Sequence, residues 1–115
     1  MSKHGLTPDQ MEQIAAVLHP YADKIETVGL FGSRAQGTYR PNSDVDLVIR
    51  GNLDEADVDR LYTLFEESSL PFQFDVIAYH RIAYPPLKRH IDQVFCPILS
   101  HDDLAKGRRE RSTAG

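Results

Sequence analysis

One cysteine in 115 residues, Cys96, excludes an internal disulfide and with it the small disulfide-stapled scaffolds. Cys96 stands beside Pro97 in an apolar run and reads as a core residue rather than a nucleophile. No apolar run approaches the length that spans a bilayer, and Met1-Ser2-Lys3-His4-Gly5 lacks the apolar centre of a secretory signal, so a soluble cytoplasmic protein is expected. Positive charge is in short supply. Lys and Arg number 13 against 17 Asp and Glu, a formal net charge of -4, which disfavours a broad phosphate-backbone footprint and work on duplex DNA. The five histidines show no metal-ligand spacing, which disfavours a zinc site. There is no Gly-x-Ser-x-Gly elbow and no Walker lysine after the glycines, which argues against a hydrolase triad and a P-loop ATPase.

What is present is a glycine turn joined to paired acids. Thr27-Val28-Gly29-Leu30-Phe31 reads as a short buried strand, and Val45 to Ile49 as a second. Between them lie Gly32-Ser33-Arg34-Ala35-Gln36-Gly37 and then Ser43-Asp44-Val45-Asp46-Leu47. Alternation along a strand turns Asp44 and Asp46 to one face while Val45, Leu47 and Ile49 bury on the other. Strands disfavour Asp, and two side-by-side carboxylates repel unless a cation lies between them. Oxygen-only ligands suit a hard cation such as Mg²⁺, which takes its remaining ligands from water and substrate phosphates. Phe72-Gln73-Phe74-Asp75-Val76-Ile77 offers a further acid in a strand, and Asp75 stands beside Asp46 if the two strands are neighbours.

Gly32, Ser33, Gly37, Asp44, Asp46, Leu47 and Asp75 together resemble the signature of the nucleotidyltransferase superfamily typified by DNA polymerase beta and kanamycin nucleotidyltransferase, in its minimal bacterial form. The resemblance covers residues 25 to 80 and implies two-metal transfer of a nucleoside monophosphate, AMP from ATP, to a hydroxyl. It implies two Mg²⁺ ions, replaceable by Mn²⁺, with Asp44 and Asp46 holding both and Asp75 completing the catalytic one. Gly32 and Ser33 would meet the triphosphate. Gly37 would sit where no side chain fits against the sheet, and Ser43 would hydrogen-bond the loop. Arg34 and Arg40 are candidates to reach nucleotide oxygens, against the simpler reading of solvated loop arginines. The minimal relatives work with a separate helical protein, a HEPN protein or a substrate-binding subunit, so a hetero-oligomer is expected. Three uses stay open: antitoxin that modifies a HEPN toxin, antitoxin that only binds it, and catalytic half of a two-subunit small-molecule transferase.

The remaining pattern predicts a single α+β domain over residues 1–100, a small mixed sheet with helices packed on one side, and a polar tail over 101–115 whose basic part starts at Lys106. Thr7-Pro8-Asp9-Gln10 opens a first helix as a capping box. Asp54 caps a second carrying the stripe Val58, Leu61, Tyr62, Leu64 and Phe65, and Pro85-Pro86 opens another. Cys96-Pro97-Ile98-Leu99 reads as a brief edge strand, where proline is tolerated.

Overall fold

The computed structural model describes residues 5–32, 37 and 44–105. Helix α1 (Pro8–Leu18) begins as its sequence dictates. The Gln10 amide donates to Thr7 Oγ1 at 3.1 Å and the Thr7 amide donates to Gln10 Oε1 at 3.0 Å, satisfying two otherwise orphaned N–H groups. Pro20, which has no N–H to offer, ends regular helix, and the chain tightens into a 3-10 segment over His19–Lys24 before strand β1 (Ile25–Phe31). Strand β2 (Val45–Gly51), helix α2 (Glu55–Glu67), strand β3 (Phe74–Ala78), a short 3-10 turn (Tyr79–Arg81), helix α3 (Pro85–Val94) and strand β4 (Cys96–Ser100) follow.

The four strands form one mixed sheet in the order β3-β2-β1-β4. β1 runs antiparallel to both β2 and β4, whereas β2 and β3 are parallel. A parallel pair needs a crossover, and α2 is that crossover. A second capping box starts α2: the Asp57 amide donates to Asp54 Oδ1 at 2.8 Å and the Asp54 amide to Asp57 Oδ2 at 3.1 Å. Ser68 closes it by donating its hydroxyl to the Phe65 carbonyl at 2.6 Å.

Alternation sorts the sheet into two faces. Val28, Leu30, Val45, Leu47, Ile49 and Val76 point to one, where they form a core with Ile14 and Leu18 of α1 and Leu61 and Phe65 of α2. Leu30, Leu47 and Leu61 have no exposed surface, and each contributes about 1.5–3 kcal/mol by burial. Asp46, Val48 and Arg50 point to the other face, which α3 and the residue after it help to cover: Asp92 reaches Arg50, and the Phe95 ring lies against Gly29. A Cβ at Gly29 would overlap that ring, so this strand position is glycine for want of space.

Pro97 does sit in an edge strand, β4, and Pro85-Pro86 do open a helix. Two boundaries differ from the sequence reading. β3 starts at Phe74, leaving Phe72 to pack edge-on against the Phe74 ring from outside the strand. The folded region also passes residue 100, because 101–105 are helical and Leu104 is 1% exposed. Nδ1 of His19 hydrogen-bonds the Leu104 carbonyl at 2.7 Å, and Nδ1 of His101 the Ala22 carbonyl at 2.9 Å. One leucine among polar neighbours left no compositional trace of this docking. Residues 106–115 lie outside the described residues. Among the described residues no helix is long and apolar enough to cross a membrane.

Candidate active site

The site lies where β1 ends and β2 and β3 begin. Register places Asp46 opposite Phe31 on one side and opposite Asp75 on the other. The Val45 amide donates to the Gln73 carbonyl at 2.9 Å, closing the β2–β3 pair one residue ahead of the two acids. Asp46 and Asp75 therefore occupy neighbouring positions on one face of parallel strands, as the sequence required of a working third acid. Asp44, exposed, immediately precedes β2.

Gly32 follows β1 directly and has φ of +79°, a conformation that costs an L side chain about 1–2 kcal/mol. An added Cβ there would lie 2.6 Å from Asp46 Oδ2. Backbone and space thus both demand glycine, and the turn is seated on the carboxylate itself. Gly37 also has φ of +79°, but it is exposed, so backbone conformation explains it rather than crowding against the sheet. Ser33, Arg34, Arg40 and Ser43 lie outside the described residues.

Among the described residues, charge in this corner is unbalanced. The Asp46 carboxyl titrates above its ordinary range because it is partly buried, and next because Asp75 and Asp44 add negative charge nearby. Among the described residues no group of three His, Cys, Asp or Glu side chains is arranged to hold a metal, although the backbone pairs Asp46 with Asp75. The donor chemistry is nevertheless that of a hard-cation site, all carboxylate oxygen with net negative charge.

Tyr62 belongs to this corner as well. From α2 its hydroxyl donates to Asp75 Oδ1 at 2.6 Å and receives the Val76 amide at 3.1 Å. Partial burial and the hydrogen bond to Asp75 raise its pKa, so the phenol keeps its proton at neutral pH. In the sequence Tyr62 was one member of an apolar stripe. The available signal was its polar tip, since a tyrosine on a buried stripe needs a partner for its hydroxyl. Beside Tyr62 opens a cavity of about 430 Å³, lined by the rings of Phe65, Phe72 and Phe74 together with Glu66 and Gln73.

Comparison with known proteins follows the same lines. Residues 12–104 match the family described as polymerase beta, nucleotidyltransferase. No curated protein matches the sequence. Among solved structures, a toxin–antitoxin with AMP-PNP superposes with a TM-score of 0.64 at 21% identity, covering 90% of this chain and 87% of its own. A mutant of the toxin–antitoxin MntA-HpeT gives a TM-score of 0.61 at 20% identity, covering 88% of this chain and 84% of its own. At such identities the likeness speaks for the fold. The match over residues 12–104 speaks for descent, and by it the chain belongs to the polymerase beta nucleotidyltransferase family.

Proposed function

We propose that this chain is a metal-dependent nucleotidyltransferase that moves a nucleoside monophosphate, AMP from ATP, onto a hydroxyl presented by a separate helical protein. The register that sets Asp46 beside Asp75, with Gly32 seated against Asp46, carries the reading. Stability alone gives no reason to gather like charges on this face, and the Asp46 pKa, raised first by burial and next by Asp75 and Asp44, records what burying one of them there costs.

Asp44, Asp46 and Asp75 are the residues that would hold Mg²⁺ or Mn²⁺. Such ions, when bound, neutralise the charge that grows on the α-phosphate and on the departing pyrophosphate. The chain's own groups account for the rest. Asp75 accepts the proton of the acceptor hydroxyl as its oxygen bonds to the α-phosphorus and the bond to pyrophosphate breaks. Gly32 lets the main chain come close to the triphosphate, where Ser33 offers a hydroxyl and an N–H. Arg34, Gly37 and Ser43 complete the nucleotide side of the loop.

Similarity to toxin–antitoxin structures, one of them with AMP-PNP, supports an antitoxin that modifies its toxin as the biological setting. The test is to purify the chain with the helical protein encoded beside it and supply Mg²⁺ or Mn²⁺ and each labelled nucleoside triphosphate in turn. Labelled monophosphate on the partner is expected, strongest with ATP. No transfer from any of the four would sink the proposal. Exchanging Asp44 and Asp46 together for Asn distinguishes catalysis from masking, because neutralisation by contact alone survives that change.

A further inference from the structure

We propose that Tyr62 is a positioning residue that holds Asp75 in its working orientation; this rests on reading Asp75 as a functional carboxylate. The hydrogen-bond directions leave little freedom. An amide N–H can only donate, so the Val76 amide at 3.1 Å occupies a lone pair of the phenol oxygen. A carboxylate can only accept, so the phenol proton goes to Asp75 Oδ1 at 2.6 Å. The competing acceptor, the Val76 carbonyl, is 3.5 Å away, too far to divert it.

Position along the fold makes the contact rigid. β3 is an edge strand, so the Val76 amide turned away from β2 would otherwise have no strand to pair with. Tyr62 covers that donor from α2, which Leu61 and Phe65, 0% and 3% exposed, anchor in the core. The hydroxyl is thus tied to the backbone of the same strand that carries Asp75. Without it, repulsion from Asp46 on the neighbouring strand would leave Asp75 free to swing off the face. With it, Oδ1 is occupied on the edge side and Oδ2 is left for whatever binds between the strands. A phenylalanine would fill the core equally well, so packing does not account for the hydroxyl.

The experiment is a double-mutant cycle on Mn²⁺ binding to the full chain, without nucleotide or partner, read by electron paramagnetic resonance. Tyr62→Phe should weaken Mn²⁺ binding about tenfold, in line with other groups that orient a ligand from behind. In an Asp75→Asn background the same change should cost almost nothing. Faster hydrogen exchange at the Val76 amide, with unaltered exchange at Leu47, should confirm that only the local bond is lost. Wild-type Mn²⁺ affinity in Tyr62→Phe, an equal loss in both backgrounds, or no Mn²⁺ uptake by the wild-type chain would overturn the proposal. Because none of these readouts uses nucleotidyl transfer, an intact transfer assay with an uncoupled cycle removes only the role of Tyr62. A coupled cycle without transfer removes only the proposed reaction.

Discussion

The two ends of one strand face opposite electrostatic fates. Asp46 and Arg50 lie on the same face of β2, four positions apart. At the Arg50 end the charge is answered: Asp92 lies at 3.2 Å, the Tyr79 ring 4.1 Å below the guanidinium, and the Tyr79 hydroxyl donates to Asp92 at 2.7 Å. At the Asp46 end the neighbours are two more carboxylates, and no cation among the described side chains answers them. A fold that settles its charges at one end of a strand is able to do so at the other. Three acids with no cation among the described side chains to answer them are what the proposed ligand site requires, and stability does not.

Replacing Asp46 tests that contrast most severely. Asp46→Asn should lower transfer about 10²–10³-fold, the scale for removing one group aimed at developing charge. The metal-free protein should nevertheless become more stable, its Tm rising by about 2–5 °C. The sign follows from the raised pKa: the folded state holds this proton more tightly than the unfolded chain. Stability is therefore lost as pH climbs from the ordinary carboxylate value to the raised one, and the full penalty is present above the raised value. Thermal melts across that range, in chelator, should show the slope in the wild type and its reduction in the variant. A lower Tm for Asp46→Asn would refute the assignment of the strain to this carboxylate. Gly32→Ala should come next, costing about 1–2 kcal/mol of stability from its φ of +79°. It should also cost about tenfold in transfer, because the new methyl group displaces Asp46 Oδ2.

Much of this is legible in the sequence alone, and the reason differs from element to element. Thr7 to Gln10 and the Asp54 cap act within one turn of chain, so local sequence contains the whole interaction. The Asp44 and Asp46 pair is equally local. The partnership of Asp46 with Asp75 was legible only as a conditional, because strand adjacency depends on the α2 crossover and not on either strand's own residues. Tyr62 was hidden for the same reason in stronger form. Its two partners lie 13 and 14 residues on, and its spacing on α2 matches that of a core side chain. Leu104 was missed because a single buried leucine makes no pattern.

Breaking the compensated end should have a smaller and purely structural effect. Arg50→Met keeps the aliphatic stem and removes the charge that lies against the Tyr79 and Phe95 rings, the latter centred 5.4 Å away. Its side chain is 41% exposed, so the loss should be about 1 kcal/mol by denaturant unfolding, with transfer within about twofold of wild type. A tenfold loss of transfer would mean that the two ends of β2 are coupled and that the contrast between them is false.

The smallest effect expected is at the start of α2, where Lys24 donates to Asp57 Oδ2 at 2.8 Å while the same carboxylate closes the capping box. The hydrogen bond from Lys24 is the main cause that lowers the Asp57 pKa, and the same bond is the main cause that raises that of Lys24. For Asp57 the stabilisation is present above its unfolded value of about 3.9 and is lost as pH falls through the lower folded value. For Lys24 it is complete below about 10.4 and is lost only as pH rises through the higher folded value. From the ordinary carboxylate value up to the lysine range this pair is therefore constant, whereas the Asp46 contribution changes between that value and its raised one. Lys24→Met should lower Tm by no more than about 2 °C at pH 7 and flatten the acid limb of the stability profile below about pH 4. If Lys24→Met instead alters the slope between the ordinary carboxylate value and the raised Asp46 value, the two sets of acids are coupled, and the contrast between a settled and an unsettled set loses its simplest measure.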